Sequence, residues 1–159
     1  MVVGLVLSGC GGEKRTLLEV GSQAPPFTLK LVDGKTTWNM ADHAGKPMVI
    51  TFMASWCPCS HDSIPLTKEA HGRFSDRGVE FLMVGLQDAE SKFEDFVAKQ
   101  APPFPAGFDD GEPISRTYGV SAPPTTVFIG KDGLVKRIFY GNIKDVVEDY
   151  YLWIEELVA

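Results

Sequence analysis

Apolar residues along the chain fall into continuous runs and into repeats at helical spacing. The runs at 48–53 and 79–85 are nearly all apolar, which predicts two central strands covered on both faces. Between them, apolar residues recur at helical spacing over 64–74. Pro65 interrupts this helix, and we expect it to kink the helix without ending it, whereas Gly78 closes it. This part of the chain therefore predicts a strand, a helix and a second strand.

The middle of the chain adds a helix after the second strand. Apolar residues recur at helical spacing over 91–100, behind the capping-box sequence Ser91-x-x-Glu94. This combination predicts a helix with Ser91 at its N-cap. A connection rich in Pro, Gly and Asp follows at 101–112, and a short helical turn is predicted around 114–118.

The last third of the chain predicts a hairpin and a closing helix. Segments 125–129 and 134–140 are predicted strands, joined by a tight turn at 131–133, and Asn142 is placed to cap the final helix. Ahead of the first central strand, 24–35 is predicted to be extended, because its two prolines exclude a helix. The order of elements predicts an α/β fold with a mixed central sheet and helices on both faces. In such folds the ligand chemistry lies at a strand-to-helix junction.

Composition narrows the chemistry that this fold can carry. A chain of 159 residues suits one domain. Its net charge of -6 argues against a nucleic-acid partner, because nucleic-acid-binding proteins normally present a basic face. Three cysteines are too few for a disulfide-stapled scaffold and too unevenly spaced for a closed zinc site. We therefore expect no nucleic-acid partner, no cofactor and no resident metal.

The first cysteine belongs to an N-terminal signal. An apolar run at 2–7 leads into a Leu-Ser-Gly-Cys sequence that ends at Cys10, which resembles the lipobox of bacterial lipoproteins, although no basic residues precede the run. The resemblance implies a signal peptide and lipobox at 1–10, a lipid on Cys10 and a tether at 11–22 ahead of the domain at 23–159. It thereby implies an exported lipoprotein, anchored to the membrane on the periplasmic side of a bacterial cell envelope, where disulfides persist.

Cys57 lies where the first central strand gives way to the first predicted helix. At such a position unpaired backbone N–H groups and the positive end of the helix dipole point at the sulfur and favour its anion. A thiolate stabilised in this way attacks well at neutral pH and leaves well in exchange with a disulfide. Pro58 suits the first helical position, where its missing N–H costs nothing. The residues thus identify Cys57 as a candidate nucleophile, with Cys59 close by.

Several motifs in combination resemble the thioredoxin superfamily. In chain order they are Ala24-Pro25-Pro26-Phe27-Thr28-Leu29, Asp33-Gly34-Lys35, Gly45-Lys46-Pro47, Ala54-Ser55-Trp56-Cys57 and Gly119-Val120-Ser121-Ala122-Pro123-Pro124-Thr125. The match begins near Gly21, extends to the C-terminus and is similar to the exported TlpA/ResA-like branch, of the AhpC/TSA-redoxin type. It implies that the domain is a thioredoxin-like three-layer sandwich and a thiol-disulfide oxidoreductase.

The same resemblance assigns roles around Cys57. The implied site residues are, for catalysis, Trp56, Cys57, Pro58, Cys59 and Pro124 and, for substrate binding, Pro123, Pro124 and Thr125. Pro124 would be a cis-proline that faces the active site and exposes backbone groups to a bound peptide. The implied partners are a protein disulfide substrate and an envelope thiol that donates electrons, and the implied tasks are cytochrome c maturation or redox homeostasis of the cell envelope. We expect a monomer.

The chain departs from this family in the spacing of its cysteines. The family has the second cysteine three residues after the first, whereas Cys59 follows Cys57 by two. Counting back five residues from Pro65, as the family spacing requires, puts Ser60 in the resolving position; the alternative is that Cys59 resolves after the loss of one residue. Because residues i and i+2 of a helix do not face each other, a Cys57–Cys59 disulfide would distort the first turn. The hypothesis is that Cys59 forms a labile disulfide or none, in which case an external thiol resolves the mixed disulfide.

A second departure lies inside the first central strand. Thr51 stands six residues before Cys57, where thioredoxins proper carry a buried acid. The usual proton relay to the resolving thiol therefore lacks its carboxylate. Packing within the strand is the simpler role for this threonine.

Three other functions compete with thiol-disulfide exchange. A copper(I)-binding chaperone could use Cys57, Cys59 and His61, because His61 lies one helical turn after Cys57. A peroxidase of the peroxiredoxin type needs Thr or Ser three residues before the cysteine and Pro four before that, but Ala54 and Ile50 fill those positions. An adaptor that keeps the fold for binding alone is disfavoured, because the chain retains the tryptophan, cysteine and proline motifs together.

Overall fold

A computed structural model describes residues 17–159. The predicted signal peptide, the lipobox cysteine Cys10 and the first part of the tether lie outside the described residues. The strands are β1 (Thr28–Lys30), β2 (Thr37–Asn39), β3 (Met48–Met53), β4 (Glu80–Gly85), β5 (Ala106–Phe108), β6 (Thr125–Ile129) and β7 (Val135–Tyr140), and the helices are α1 (Pro58–Phe74), α2 (Glu90–Gln100), α3 (Pro113–Thr117) and α4 (Val147–Val158). No helix in this described part is long and apolar enough to cross a membrane.

Five of the strands form one mixed sheet in the order β5-β4-β3-β6-β7. Strands β5, β4 and β3 run parallel, whereas β6 is antiparallel to β3 and β7 is antiparallel to β6. The apolar run at 48–53 was predicted to form a strand covered on both faces, and all six residues of β3 are buried. The β1–β2 hairpin stands apart from this sheet as a separate antiparallel pair.

Apolar layers cover both faces of the sheet. One face packs against α1, α2 and α4, through residues such as Ile64, Phe93 and Ile154. The other face packs against α3 and the β1–β2 hairpin, through residues such as Trp38 and Tyr118. The predicted thioredoxin-like sandwich, with a mixed sheet and helices on both sides, is therefore confirmed.

The proline and glycine signals in and after α1 have the predicted effects on the helix. Pro65 lies on the exposed side of α1, and the helix continues through it to Phe74. Gly78 follows with a φ of 90°, a left-handed conformation that favours glycine. The Asn142 side chain accepts the Lys144 N–H at 3.0 Å, but it caps a single 3-10 turn that leads into α4 and not α4 itself.

The predicted cap of α2 was wrong. The helix begins at Glu90 with Ala89 at its N-cap, so Ser91 lies inside the first turn and makes no cap. The reason is tertiary. The preceding residue, Asp88, uses one carboxylate oxygen on the Ala89 N–H and the other on the Ser55 N–H in the loop after β3. A contact between loops, and not the local Ser-x-x-Glu pattern, therefore sets where this helix starts.

The predicted connection at 101–112 contains strand β5, which the sequence analysis missed. This three-residue strand includes Gly107, and a Cβ at that position would clash with the Lys30 carbonyl oxygen. Glycine weakens the strand signal in the sequence, yet it is required where the two backbones approach each other. Strand β2 was missed as well, although the extended segment before it was predicted.

The end of the predicted tether is attached to the domain. The Gly21 N–H donates to the Val135 carbonyl at 2.7 Å, and the Val135 N–H donates to the Ser22 carbonyl at 2.9 Å. The chain therefore enters the domain alongside β7, close to the turn between β6 and β7.

Candidate active site

Cys57 occupies the N-cap of α1, directly after the central strand β3. Its backbone is extended, with φ of -88° and ψ of 115°, and Pro58 takes the first helical position. The Cys57 carbonyl accepts the Ser60 and His61 N–H groups at 3.0 and 3.3 Å, which closes the first turn. The sulfur therefore lies at the positive end of a helix dipole, where an anion is favoured. The Cys57 side chain makes no capping hydrogen bond to the helix.

The loop before β6 faces this sulfur. The peptide bond between Pro123 and Pro124 is cis, and the Pro123 carbonyl oxygen lies 3.8 Å from Cys57 Sγ. The Pro124 carbonyl accepts the Gly141 N–H at 3.0 Å, and the Thr125 hydroxyl donates to the Ala122 carbonyl at 2.8 Å. The cis-proline that the resemblance implied is thus present and adjacent to the cysteine.

The two residues that could occupy the resolving position, Cys59 and Ser60, differ in burial within the first turn of α1. Ser60 is fully buried, and its Oγ accepts the Ala54 N–H at 3.2 Å. Cys59 is partly exposed, and its carbonyl accepts the Ser63 hydroxyl at 2.8 Å. Cys57 and Cys59 are both free thiols in this structure. Of these two residues the fully buried one is therefore Ser60, the residue to which the spacing from Pro65 assigns the resolving position as a prediction.

Trp56 is a large exposed side chain directly before Cys57. It is 59% exposed although it is aromatic, and its indole N–H donates to the Gln87 carbonyl at 2.6 Å. An aromatic ring held in this way presents apolar surface to a partner without having to be ordered on binding.

His61 contacts the loop after β3 and helix α2. Its Nε2 lies 2.6 Å from the Ser55 carbonyl oxygen, and its ring contacts Phe96 with centroids 4.8 Å apart. Because a carbonyl can only accept, Nε2 carries the proton in this contact. Across the described range 17–159, no three His, Cys, Asp or Glu residues are grouped to hold a metal ion. The three ligands of the copper alternative are therefore not gathered into one site.

The strand residue six positions before Cys57 is a threonine and carries no acid. Thr51 is buried within the sheet, where it pairs with Met83 and Thr126. Within the part of the chain that the structure describes, Asp109 is the one buried carboxylate, and it is used to cap α3, where it accepts from the Ser115 N–H and hydroxyl.

Two residues of the site were missed from the sequence, Gln87 and Asp88. They form the turn after β4, and Asp88 accepts the Ser55 N–H at 2.6 Å while Gln87 accepts the Trp56 indole. One available signal was their position at the carboxyl end of a strand that runs parallel to β3, where functional groups of α/β sheets collect.

Comparisons with known proteins agree with this geometry. The AhpC/TSA family model matches residues 20–138. Thiol-disulfide oxidoreductase ResA of Bacillus cereus is 29% identical, with 94% of this chain and 91% of the relative covered. ResA of Geobacillus thermodenitrificans is 32% identical, with 82% and 74% covered.

Solved structures resemble the fold as well. A candidate thiol:disulfide interchange protein DsbE from Chlorobium tepidum superposes with a TM-score of 0.83 at 25% identity, over 89% of this chain and 99% of that one. A secreted disulfide oxidoreductase of Mycobacterium tuberculosis gives 0.72 at 22% identity, over 82% and 96%, which supports the fold alone. The chain therefore belongs to the AhpC/TSA family and has a thioredoxin-like fold.

Proposed function

We propose that this protein is a thiol-disulfide oxidoreductase in which the Cys57 thiolate attacks disulfides of other proteins. The observation that carries the proposal is the position of Cys57 at the N-cap of α1, with the carbonyl next to a cis-proline 3.8 Å from its sulfur. The helix dipole favours the anion that attacks, and the neighbouring carbonyl offers a place for the substrate backbone. The ResA relatives, named as thiol-disulfide oxidoreductases, support this activity.

The reaction has three exchange steps. In the first, the Cys57 thiolate attacks one sulfur of the substrate disulfide, a Cys57–substrate disulfide forms, and the other substrate sulfur leaves as a thiolate. In the second, a donor thiolate attacks Cys57 Sγ, the second substrate sulfur leaves, and Cys57 is left in a disulfide with the donor. A further donor thiol then releases Cys57. The substrate disulfide gains two electrons, and two donor thiols lose them to form one disulfide.

An external thiol fits the second step better than Cys59 does. Ser60 holds the buried position that faces the N-cap, and Cys59 lies two residues after Cys57 on a different side of the turn. The donor proposed here is a thiol of the cell envelope.

The cis-proline loop offers a single backbone acceptor to a substrate. The carbonyl of Pro124 is occupied by the Gly141 N–H, and Pro123 and Pro124 have no N–H to donate. The Pro123 carbonyl accepts only the long contact from the Cys57 thiol, and once that thiol is ionised the carbonyl is left to accept a hydrogen bond from an extended substrate segment. Thr125 fixes the loop through its bond to the Ala122 carbonyl. This supports a substrate-binding role for Pro123, Pro124 and Thr125.

We place the protein on the outer side of a membrane, as an exported lipoprotein attached through Cys10. The lipobox-like sequence supports the attachment. In that compartment its substrates would be protein disulfides, in cytochrome c maturation or in redox homeostasis of the envelope. A Cys10→Ser variant should move from the membrane fraction to the soluble fraction, and unchanged membrane association would refute the anchor.

Reduction of a polypeptide disulfide such as those of insulin tests the activity. With an external dithiol as donor, the protein should accelerate reduction, Cys57→Ser should abolish the acceleration, and Cys59→Ser should keep most of it. Loss of activity in Cys59→Ser alone would instead make Cys59 the essential thiol. Fast consumption of hydrogen peroxide, against the expectation from Ala54 and Ile50, would favour the peroxidase.

The substrate itself can be identified by trapping. Cys59→Ser, purified from cells without reductant, should carry a partner protein in a disulfide with Cys57. The mass of that partner identifies the substrate or the donor, since each passes through a disulfide with Cys57, and a matched Cys57→Ser sample should carry neither.

A further inference from the structure

The turn between β4 and α2 holds a strained backbone. Gln87 has a φ of 51°, a left-handed conformation that residues other than glycine adopt at a cost. Glu112, just before α3, is also left-handed, with a φ of 62°. Strained residues of this kind persist where the surrounding contacts hold them, and they cluster at functional sites. The two are joined directly, because the Gln87 N–H donates to Glu112 Oε1 at 3.0 Å.

Gln87 connects the two loops that face each other across the cysteine. Its carbonyl accepts the Trp56 indole N–H at 2.6 Å, and its side-chain amide donates to the Ser121 carbonyl at 2.7 Å. Trp56 immediately precedes Cys57, and Ser121 lies two residues before Pro123. Both sides of the 3.8 Å contact between Cys57 Sγ and the Pro123 carbonyl are therefore tied to one residue.

The neighbouring residue secures the same arrangement. Asp88 accepts the Ser55 N–H at 2.6 Å, and the Ser55 carbonyl is held in turn by His61 at 2.6 Å. The loop that carries Cys57 is thus fixed from the β4–α2 turn at two consecutive residues. The cis-proline loop is fixed from the same turn by the Gln87 side chain alone.

We propose that Gln87 is a positioning residue, which sets the cis-proline loop relative to Cys57 and thereby the docking of a polypeptide substrate. This inference rests on the proposed function, since it concerns how the same site receives its substrate. Gln87 acts on the reaction through Ser121 and the loop that ends at Pro123. The reaction of Cys57 with a substrate that makes no backbone hydrogen bonds to that loop does not depend on Gln87.

The test uses Gln87→Asn and two substrates. Asparagine tolerates the left-handed conformation, but its side chain is one methylene shorter and does not reach the Ser121 carbonyl. We expect reduction of insulin to slow by about tenfold in kcat/KM, mainly through a higher KM, because small displacements of a docking group are costly. Reaction of Cys57 with a small aromatic disulfide should keep the wild-type rate, and the melting temperature should stay within error of wild type.

Gln23→Asn is the matched control, since Gln23 is an exposed glutamine that bridges to Leu134 next to the β6–β7 turn, at the other end of the sheet. It should match wild type on both substrates. If Gln87→Asn reduces insulin with wild-type kinetics, the inference is overturned. It is also overturned if the variant loses activity equally on both substrates and has a lower melting temperature, because that result indicates a purely structural role. Failure of the proposed function gives a different result, because the wild-type protein itself would then reduce neither substrate through Cys57.

Discussion

Restoring the family spacing at Ser60 is a direct perturbation of the proposed reaction. Ser60 is the third residue of α1 and Cys57 is its N-cap, and side chains at these two positions reach toward each other at helix starts. Ser60→Cys would therefore place a thiol beside the nucleophile, on the buried side of the turn. An intramolecular thiol acts at an effective concentration of about millimolar or more. With external thiol at about 0.1 mM, the Cys57 mixed disulfide should resolve about tenfold faster in the variant, or faster still.

The substitution also has a cost in stability. Ser60 is fully buried and its Oγ accepts the Ala54 N–H at 3.2 Å, and sulfur is the weaker acceptor and the larger atom. Unfolding of the reduced variant should be easier by on the order of 1–2 kcal/mol. Ser63→Cys is the matched control, because Ser63 is an equally buried serine on the same helix, one turn further from Cys57.

The assay is the decay of a preformed mixed disulfide between Cys57 and a fluorescent peptide thiol, followed at several concentrations of external thiol. The wild type and Ser63→Cys should decay in proportion to the external thiol. Ser60→Cys should decay at a rate that does not depend on it. Decay of the wild type without any external thiol, at a rate that Cys59→Ser removes, would refute the reasoning, since Cys59 would then be an efficient resolving residue.

The other predictions concern the substrate loop, the close approach of two strands and one exposed turn. Pro123→Ala restores a backbone N–H beside the cis-proline, so the KM for insulin should fall by a few fold in steady-state assays; an unchanged KM would show that the substrate makes no use of an N–H at this position. Gly107→Ala forces a Cβ against the β1 backbone and should lower the free energy of unfolding in urea by about 1–3 kcal/mol, whereas Gly72→Ala, whose added Cβ meets nothing within 4 Å, should not. The Thr36 hydroxyl and the N–H groups of the turn lower the pKa of Asp33 from 3.8 to about 2. Because the folded value is the lower one, this carboxylate stabilises the fold above pH 3.8 and ceases to do so as the pH falls toward 2. The difference in melting temperature between wild type and Asp33→Asn should therefore shrink between about pH 5 and about pH 2, and a constant difference would contradict it.

The elements that could be predicted from the sequence are those set by local signals. The run that forms β3, followed at once by Cys57 and Pro58, indicates both the buried strand and the start of α1. These signals lie within a few residues of each other, so they hold whatever the rest of the chain does. The position of Cys57 at the start of a helix was predicted for this reason, whereas the cis-proline was predicted from the family resemblance.

The features that could not be predicted depend on contacts between distant segments. Strand β5 is three residues long and carries a glycine because β1 crosses close to it. The roles of Gln87 and Asp88 arise from hydrogen bonds to Trp56 and Ser55, more than thirty residues earlier in the chain. Nothing in the local pattern marks a glutamine in a turn as a connection between two loops. Such residues become visible only when the strands are placed side by side.

The reactivity of Cys57 as a nucleophile can be measured as the rate at which iodoacetamide alkylates it at neutral pH, read by peptide mass spectrometry. Cys57 is 7% exposed in the fold, so access alone would make the folded protein react more slowly than the chain unfolded in urea. We predict the reverse, with Cys57 alkylated faster in the folded protein and faster than Cys59, because the start of α1 favours the thiolate. Alkylation of Cys57 that is no faster in the folded protein than in the unfolded chain would contradict its role as the nucleophile.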